Sequence, residues 1–185
     1  MNDFRTEWKG WSELPLHKEG HTGKYPRYQS FLFELVQSVN PDNIFEIGFN
    51  AGHSACCFLN AAPQAKMVTF DICRHGTEQP ALKVLQKYFD ITLIPGDSVK
   101  TVPVWLENNP TQFDLMFIDG YHLNDHPYLD IVNSYKRCKV GGVVLVDDLH
   151  IPDVKTSFNK VDWTGFEEIS VPSIEKIIKV YRRVE

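Results

Sequence analysis

Two short stretches hold most of the reactive side chains in this sequence, FDLMFIDGYHLNDH (residues 113–126) and GGVVLVDDLH (residues 141–150). Each is a nearly unbroken apolar run that ends in acid: Asp119 closes the first, and Asp147 and Asp148 close the second. Runs of that kind read as strands buried on both faces of a parallel sheet. Adjacent strands lie about 4.8 Å apart, so the three carboxylates should converge. Converging carboxylates repel one another unless protons, cations or solvent compensate. A hard divalent cation with oxygen ligands, Mg²⁺ or Mn²⁺, is one resolution, with Asp119, Asp147 and Asp148 as its ligands. Another is purely structural, with Asp119 capping the next turn and His122 bonded to backbone or to Asp147.

A second constellation lies upstream in FEIGFNAGHSA, residues 45–55. An apolar run leads into an acid, then Gly48 and Gly52 stand four apart. A strand followed by a glycine turn and a helix commonly cradles a nucleotide-like ligand. A Walker loop requires G-x-x-x-x-G-K-[ST], and neither that spacing nor the lysine is present. A dinucleotide fingerprint requires G-x-G-x-x-G, and Asn50 stands where the middle glycine would be. What remains is E-x-G-x-x-x-G, formed by Glu46, Gly48 and Gly52.

The elements that must position these groups follow from hydrophobic periodicity. Phe31, Leu32, Leu35, Val36 and Val39 recur at helical spacing, and Pro41 ends that helix. Strands are expected at 44–47, 67–72, 91–94, 113–118 and 143–146. Helices are expected from the glycine turn to about 62, and at 81–89, 99–107 and 128–138, the last ended by Gly141-Gly142. Pro103 fits only in the first turn or two of its helix. Strands alternating with helices imply a parallel α/β sheet with right-handed crossovers. The tail breaks the alternation, since 166–171 and 174–182 are β-rich runs separated only by Pro172-Ser173, so they must pair antiparallel. Residues 151–163 read as a loop.

The 185 residues suit a single domain, 1–185, with an N-terminal arm or flap over 1–25, a core over 26–150, and a substrate-side loop and terminal hairpin over 151–185. The net charge of −5 disfavours a nucleic-acid partner. No apolar run reaches the length of a membrane span and no signal-type leader opens the sequence, so a cytoplasmic protein is expected. A homo-oligomer is compatible with this. The four cysteines form no C-x-x-C pair, and Cys56 and Cys57 read as small core residues.

The E-x-G-x-x-x-G turn resembles the first motif of class I S-adenosylmethionine-dependent methyltransferases. The D-G-Y-H…GG…DD pattern is similar to that of small metal-dependent O-methyltransferases of the catechol, caffeoyl-CoA and antibiotic-sugar types. This resemblance covers about residues 27–150. It implies a Rossmann-like fold, a mostly parallel seven-stranded sheet with helices on both faces and a C-terminal antiparallel hairpin. It also implies S-adenosyl-L-methionine as donor and a hydroxyl of a small molecule as acceptor. Glu46 would meet the donor ammonium, and the backbone around Gly52, His53 and Ser54 its carboxylate. Asp71 would take the ribose hydroxyls, and Gly96, Asp97 and Ser98 the adenine edge. Phe49, Asn50, Ile72 and Asp119 would complete the donor site. Ser98 is equally readable as the cap of the helix it opens. Catechol-type enzymes carry a lysine base three positions after the first metal aspartate, and His122 stands there in this sequence. A histidine near neutral pKa suits a general base. Asp119 shares the catalytic assignment. His150 is placed near the same cleft, Asp130 is read as structural, and His17, His21, His75 and His126 as surface or loop residues. Trp8, Trp11, Tyr25 and Trp163 either wall an acceptor or bury for stability. The alternatives are a donor-binding sensor without catalysis and an N-methyltransferase, although the latter's N/D-P-P-Y/F tetrapeptide is absent.

Overall fold

Proline at a first helical position begins the ordered core, because its fixed φ suits a turn whose N–H groups have no partner. In the computed structural model, which describes residues 7–16, 22, 24–171 and 176–185, helix α1 spans Pro26–Val39 and buries Tyr28, Leu32 and Val36 at i, i+4, i+8. Asn40 stops it in the left-handed region (φ 47°), just ahead of Pro41. Then follow β1 (Asn43–Ile47), α2 (His53–Ala61), β2 (Lys66–Asp71), α3 (Glu78–Leu85), β3 (Asp90–Pro95), α4 (Ser98–Asn108), β4 (Phe113–Ile118), α5 (His126–Ser134), β5 (Cys138–Val146), α6 (Pro152–Asn159), β6 (Phe166–Ile169) and β7 (Lys179–Arg183).

The seven strands form one sheet in the order β3-β2-β1-β4-β5-β7-β6. The first five pair parallel, and β7 runs antiparallel to both β5 and β6. Side-chain alternation divides the core in two. Ile44, Met67, Leu115, Phe117, Val143 and Leu145 pack with α1, α2 and α3. Phe45, Val68, Phe70, Met116, Val144 and Val146 pack with residues of α4, α5 and α6. The α/β architecture expected from the sequence is therefore borne out, with its antiparallel C-terminal pair.

Three expectations need correction. The helix expected over 128–138 stops at Ser134, a single 3-10 turn (Tyr135–Arg137) follows, and Cys138 already belongs to β5. Gly141-Gly142 therefore lies inside a strand. Phe113 pairs with Cys138 but Leu115 pairs with Val143, and Gly141 at φ 85° lets β5 absorb the extra residues. The segment read as a loop, 151–163, contains α6, which opens on Pro152 and buries Val154 and Phe158 one turn apart. The C-terminal strand is confined to Lys179–Arg183, and the Pro172-Ser173 connection lies outside the described residues. His17 and His21 also lie outside them.

The N-terminal aromatics turn inward. Trp8 is buried and stacks on Phe33 of α1 at 5.2 Å between ring centroids, with Trp11 edge-on at 5.2 Å. Trp163 stacks on Tyr181 of β7 at 4.4 Å and meets Phe158 of α6, so it belongs to the core. Tyr25 is exposed at the start of α1. The four cysteines are free thiols, three of them buried.

Candidate active site

The parallel register sets the carboxyl ends of β1, β2, β4 and β5 in one row. Gly48 N–H donates to the Phe70 carbonyl (2.8 Å), Asp119 N–H to that of Ile47 (2.9 Å), and Asp147 N–H to that of Ile118 (3.0 Å). The order of strands reverses between β1 and β4, the place where open α/β sheets bind ligands. Gly48 and Asp119 meet at that point. A Cβ on Gly48 would fall 1.8 Å from the Asp119 carbonyl oxygen, and Gly48 has φ 97°, so only glycine fits there.

The turn after β1 is tied down by acids. Glu46 is fully buried, and its two oxygens accept from Ser54 Oγ and Thr69 Oγ1, each at 2.6 Å. Glu46 pairs with Thr69 across β1 and β2, which is why the hydroxyl is there. Burial pushes the Glu46 carboxyl up to about 8, against the pull of those two bonds. Asp71 Oδ2 accepts from the backbone N–H of Phe49 (2.9 Å) and of Asn50 (2.8 Å), while Oδ1 accepts from Cys73 N–H (2.7 Å). Asp71 thus fixes the glycine turn. Asn50 Oδ1 accepts from the Thr77 hydroxyl at 3.2 Å. Gly52 caps α2, with His53 as its first residue and Ser54 next. Burial lowers the His53 pKa, and Trp11 meets its ring edge-on at 5.2 Å. Ile72, just past β2, is an exposed apolar side chain.

At the end of β3, Asp97 caps α4, accepting from Val99 N–H at 3.2 Å, and Ser98 is the first helical residue. The cap is therefore Asp97 and not Ser98. Gly96 N–H bonds to the Asp71 carbonyl at 2.8 Å, which joins this turn to the previous one. His126, expected at the surface, comes within 3.7 Å of Asp97 and holds Tyr121 edge-on at 5.1 Å. His75 N–H donates to Glu78 Oε1 at 2.9 Å.

Beyond β4 and β5 the acids divide. His122 Nε2 lies 2.9 Å from Asp148 Oδ2 and 3.4 Å from Asp119 Oδ1. Single ligand atoms of Asp119, His122 and Asp148 all fall within 4.8 Å of one another. Asp147 is not in this cluster, contrary to its expected place as a metal ligand. It keeps the parity of Val143 and Leu145, faces the α1 layer and accepts from the buried Tyr28 hydroxyl. Its other oxygen accepts from Asp148 N–H at 2.8 Å. Burial and the charges of Asp119 and Asp148 raise the Asp147 carboxyl well above its ordinary range. Hydrogen bonds donated by Nε2–H to the Asp119 and Asp148 carboxylates hold the His122 ring up at about 10, outweighing its burial. A pKa that high favours His122 as a cation clamped by two carboxylates over a neutral base. His150 Nδ1 is 3.6 Å from Asp148 Oδ1, beside the cluster as expected. Asp130 lies behind it, buried against Gly120, and burial raises its carboxyl to about 7. Tyr121 and Leu123 are exposed on the turn that carries His122.

Two participants had escaped sequence reasoning. Thr69 was legible in principle from its register with Glu46, but Tyr28 carries no local signal, since only tertiary packing brings α1 to the end of β5.

Residues 45–149 match the family described as a methyltransferase domain. No curated protein matches the sequence. Solved structures share the fold. The methyltransferase PaMTH1 of Podospora anserina, bound to SAH, is 15% identical over 100% of this chain and 89% of its own, with a TM-score of 0.76. An O-methyltransferase from Bacillus cereus in complex with SAH is 17% identical over 93% and 86%, with a TM-score of 0.71. The O-methyltransferase TomG from Streptomyces achromogenes, in complex with SAM and involved in tomaymycin synthesis, is 14% identical over 100% and 91%, also at 0.71.

Proposed function

Because the chain belongs to the methyltransferase-domain family, we propose that it transfers the methyl group of S-adenosyl-L-methionine to a hydroxyl of a small molecule. One observation carries this reading: the glycine turn and the Asp119–His122–Asp148 cluster share a wall, where Gly48 touches the Asp119 backbone. A donor lying on the turn would present its sulfonium methyl toward the cluster. The O-methyltransferases of the same fold, crystallised with SAH or SAM, support the choice of donor and reaction.

On this reading Glu46 supplies the counter-charge for the donor ammonium, and the α2 N-terminus around Gly52, His53 and Ser54 takes its carboxylate. Asp71 keeps its grip on the Phe49 and Asn50 amides and uses its remaining lone pairs for ribose hydroxyls. Ile72 covers the sugar and base, and Gly96, Asp97 and Ser98 meet the adenine edge. The acceptor oxygen sits against Asp119, His122 and Asp148. It loses its proton to this cluster, forms the new C–O bond, and the donor C–S bond breaks to leave S-adenosylhomocysteine. Positioning of the two reactants supplies much of the rate.

The carboxylates of Asp119 and Asp148 suit Mg²⁺ or Mn²⁺ and would hold it, with the His122 ring beside them left unligated. Such a cation would offset the carboxylate charges that keep His122 protonated and would lower the pKa of the acceptor hydroxyl. His122 then serves as base through Nε2. The same reading takes residues 1–185 as one cytoplasmic domain. A single sheet running from β1 to β7 supports the single domain. Among the described residues no helix is long and apolar enough to cross a membrane.

Calorimetry with S-adenosylhomocysteine tests the donor. Binding in the micromolar range is expected, and a folded sample that binds none overturns the reading. Multiple-turnover formation of S-adenosylhomocysteine from S-adenosylmethionine, with catechol as probe hydroxyl, would exclude a sensor without catalysis.

A further inference from the structure

Asp148 adopts φ 57°, in the left-handed region that residues with a Cβ seldom enter. Its carboxylate reaches His122 from that backbone conformation. Something must hold it there. Asp148 N–H donates to Asp147 Oδ1 at 2.8 Å, its carbonyl accepts from Ile151 N–H at 2.8 Å, and Leu149 N–H donates to the Ile177 carbonyl at 2.8 Å. Of these anchors only the first runs through a side chain, and that side chain is itself fixed by a distant helix. Asp147 Oδ2 accepts from the hydroxyl of Tyr28, and both residues are buried. Tyr28 shares its face of α1 with Leu32 and Val36, both wholly buried, so its hydroxyl has little freedom.

We propose that Tyr28 is a positioning residue for the transfer reaction, acting through Asp147 to hold the Asp148 backbone in the left-handed turn that delivers its carboxylate to His122. The inference rests on the functional reading above, because it assigns Asp148 and His122 to the acceptor side. It also gives Asp147 a different task from that of metal ligand. A carboxylate with one oxygen on Tyr28 and the other on the Asp148 amide is a bracket between α1 and the end of β5. Removing the hydroxyl frees Asp147 to rotate, which loosens the Asp148 amide and with it the Asp148–His122 contact. The donor turn, built on Glu46, Gly48 and Asp71, lies outside this chain of bonds.

The test uses the full chain with Tyr28→Phe. Nuclear magnetic resonance should show the Asp148 amide exchanging with solvent at least about tenfold faster, and the His122 ring signals displaced. Affinity for S-adenosylhomocysteine should stay within about twofold, whereas kcat for catechol methylation should fall about tenfold or more, as for removal of a hydrogen bond behind a reacting group. Asp147→Asn can keep both bonds, with Tyr28 accepting or donating as needed, and should preserve the Asp148 amide protection that Asp147→Ala loses. That pair decides the matter if Tyr28→Phe does not fold. A folded Tyr28→Phe with unchanged Asp148 and His122 signals overturns the proposal, as does a changed signal with unchanged kcat. Failure of the wild-type chain to bind S-adenosylhomocysteine would instead sink the functional reading, and the Asp148 amide would still decide whether the bracket exists.

Discussion

His122 and Asp148 are joined by a 2.9 Å contact between Nε2 and Oδ2 that bridges the turn after β4 and the end of β5. Asp119 completes the bridge at 3.4 Å. An imidazole between two carboxylates gains most when charged, which is why its pKa rises to about 10 despite partial burial. The bridge is therefore an ion triad that must be rearranged before His122 accepts a proton.

The pH dependence of stability follows with a definite sign. A histidine whose folded pKa is raised binds its proton more tightly when folded. Its contribution is full below the unfolded value near 6.5 and is lost as pH rises through about 10. Urea unfolding between pH 6.5 and 10 should show wild-type stability falling relative to His122→Gln. Asp148→Asn should move the His122 titration midpoint downward, and an unmoved midpoint would contradict the triad.

Glu46 acts in the opposite sense to a usual salt-bridged acid. Its carboxyl is raised to about 8, so the folded protein holds a proton that the unfolded chain releases near 4.5. Stability from this group declines as pH climbs from 4.5 to 8, and Glu46→Gln should remove that decline. A donor ammonium beside Glu46 would draw the proton off. S-adenosylhomocysteine binding at pH 7 should then release a proton, visible as a dependence of binding enthalpy on buffer ionisation that disappears in Glu46→Gln.

Gly48 tolerates no side chain. A Cβ would overlap the Asp119 carbonyl, which is backbone and cannot step aside. Gly48→Ala should cost more than about 3 kcal/mol in chemical denaturation or prevent folding. Gly76→Ala is the control: Gly76 also has a positive φ (76°), but nothing lies within 4 Å of its Cβ position, so only about 1–2 kcal/mol of backbone strain is expected. Equal costs would show that the contact with Asp119 is unimportant.

Divalent-ion binding separates the two adjacent aspartates. Asp148 faces His122 and Asp119, whereas Asp147 faces Tyr28. Titration with Mn²⁺, followed by water-proton relaxation, should lose about tenfold or more in affinity with Asp148→Asn and much less with Asp147→Asn. Equal losses would place Asp147 among the ligands and contradict the arrangement described above.

The sequence by itself determined the layers of this protein. Short doubly apolar runs such as FDLMFI, repeated between helical segments, read as interior strands, and the broken glycine triplet at Asn50 argues against a dinucleotide turn. It also marked Glu46, Asp71, Asp97, Asp119 and Asp148 as acids at strand ends, because strand length and residue type are local properties. Where each side chain points is not local. Alternation along β5 sends Asp147 to α1, while a left-handed residue sends Asp148 to His122, and nothing in the adjacent letters DD distinguishes them. The Gly141-Gly142 pair looked like a helix stop because a glycine pair ends helices and bends strands alike, and only pairing with β4 decided between them. Tyr28, some 120 residues from its partner, became part of the site only when the sheet closed the distance.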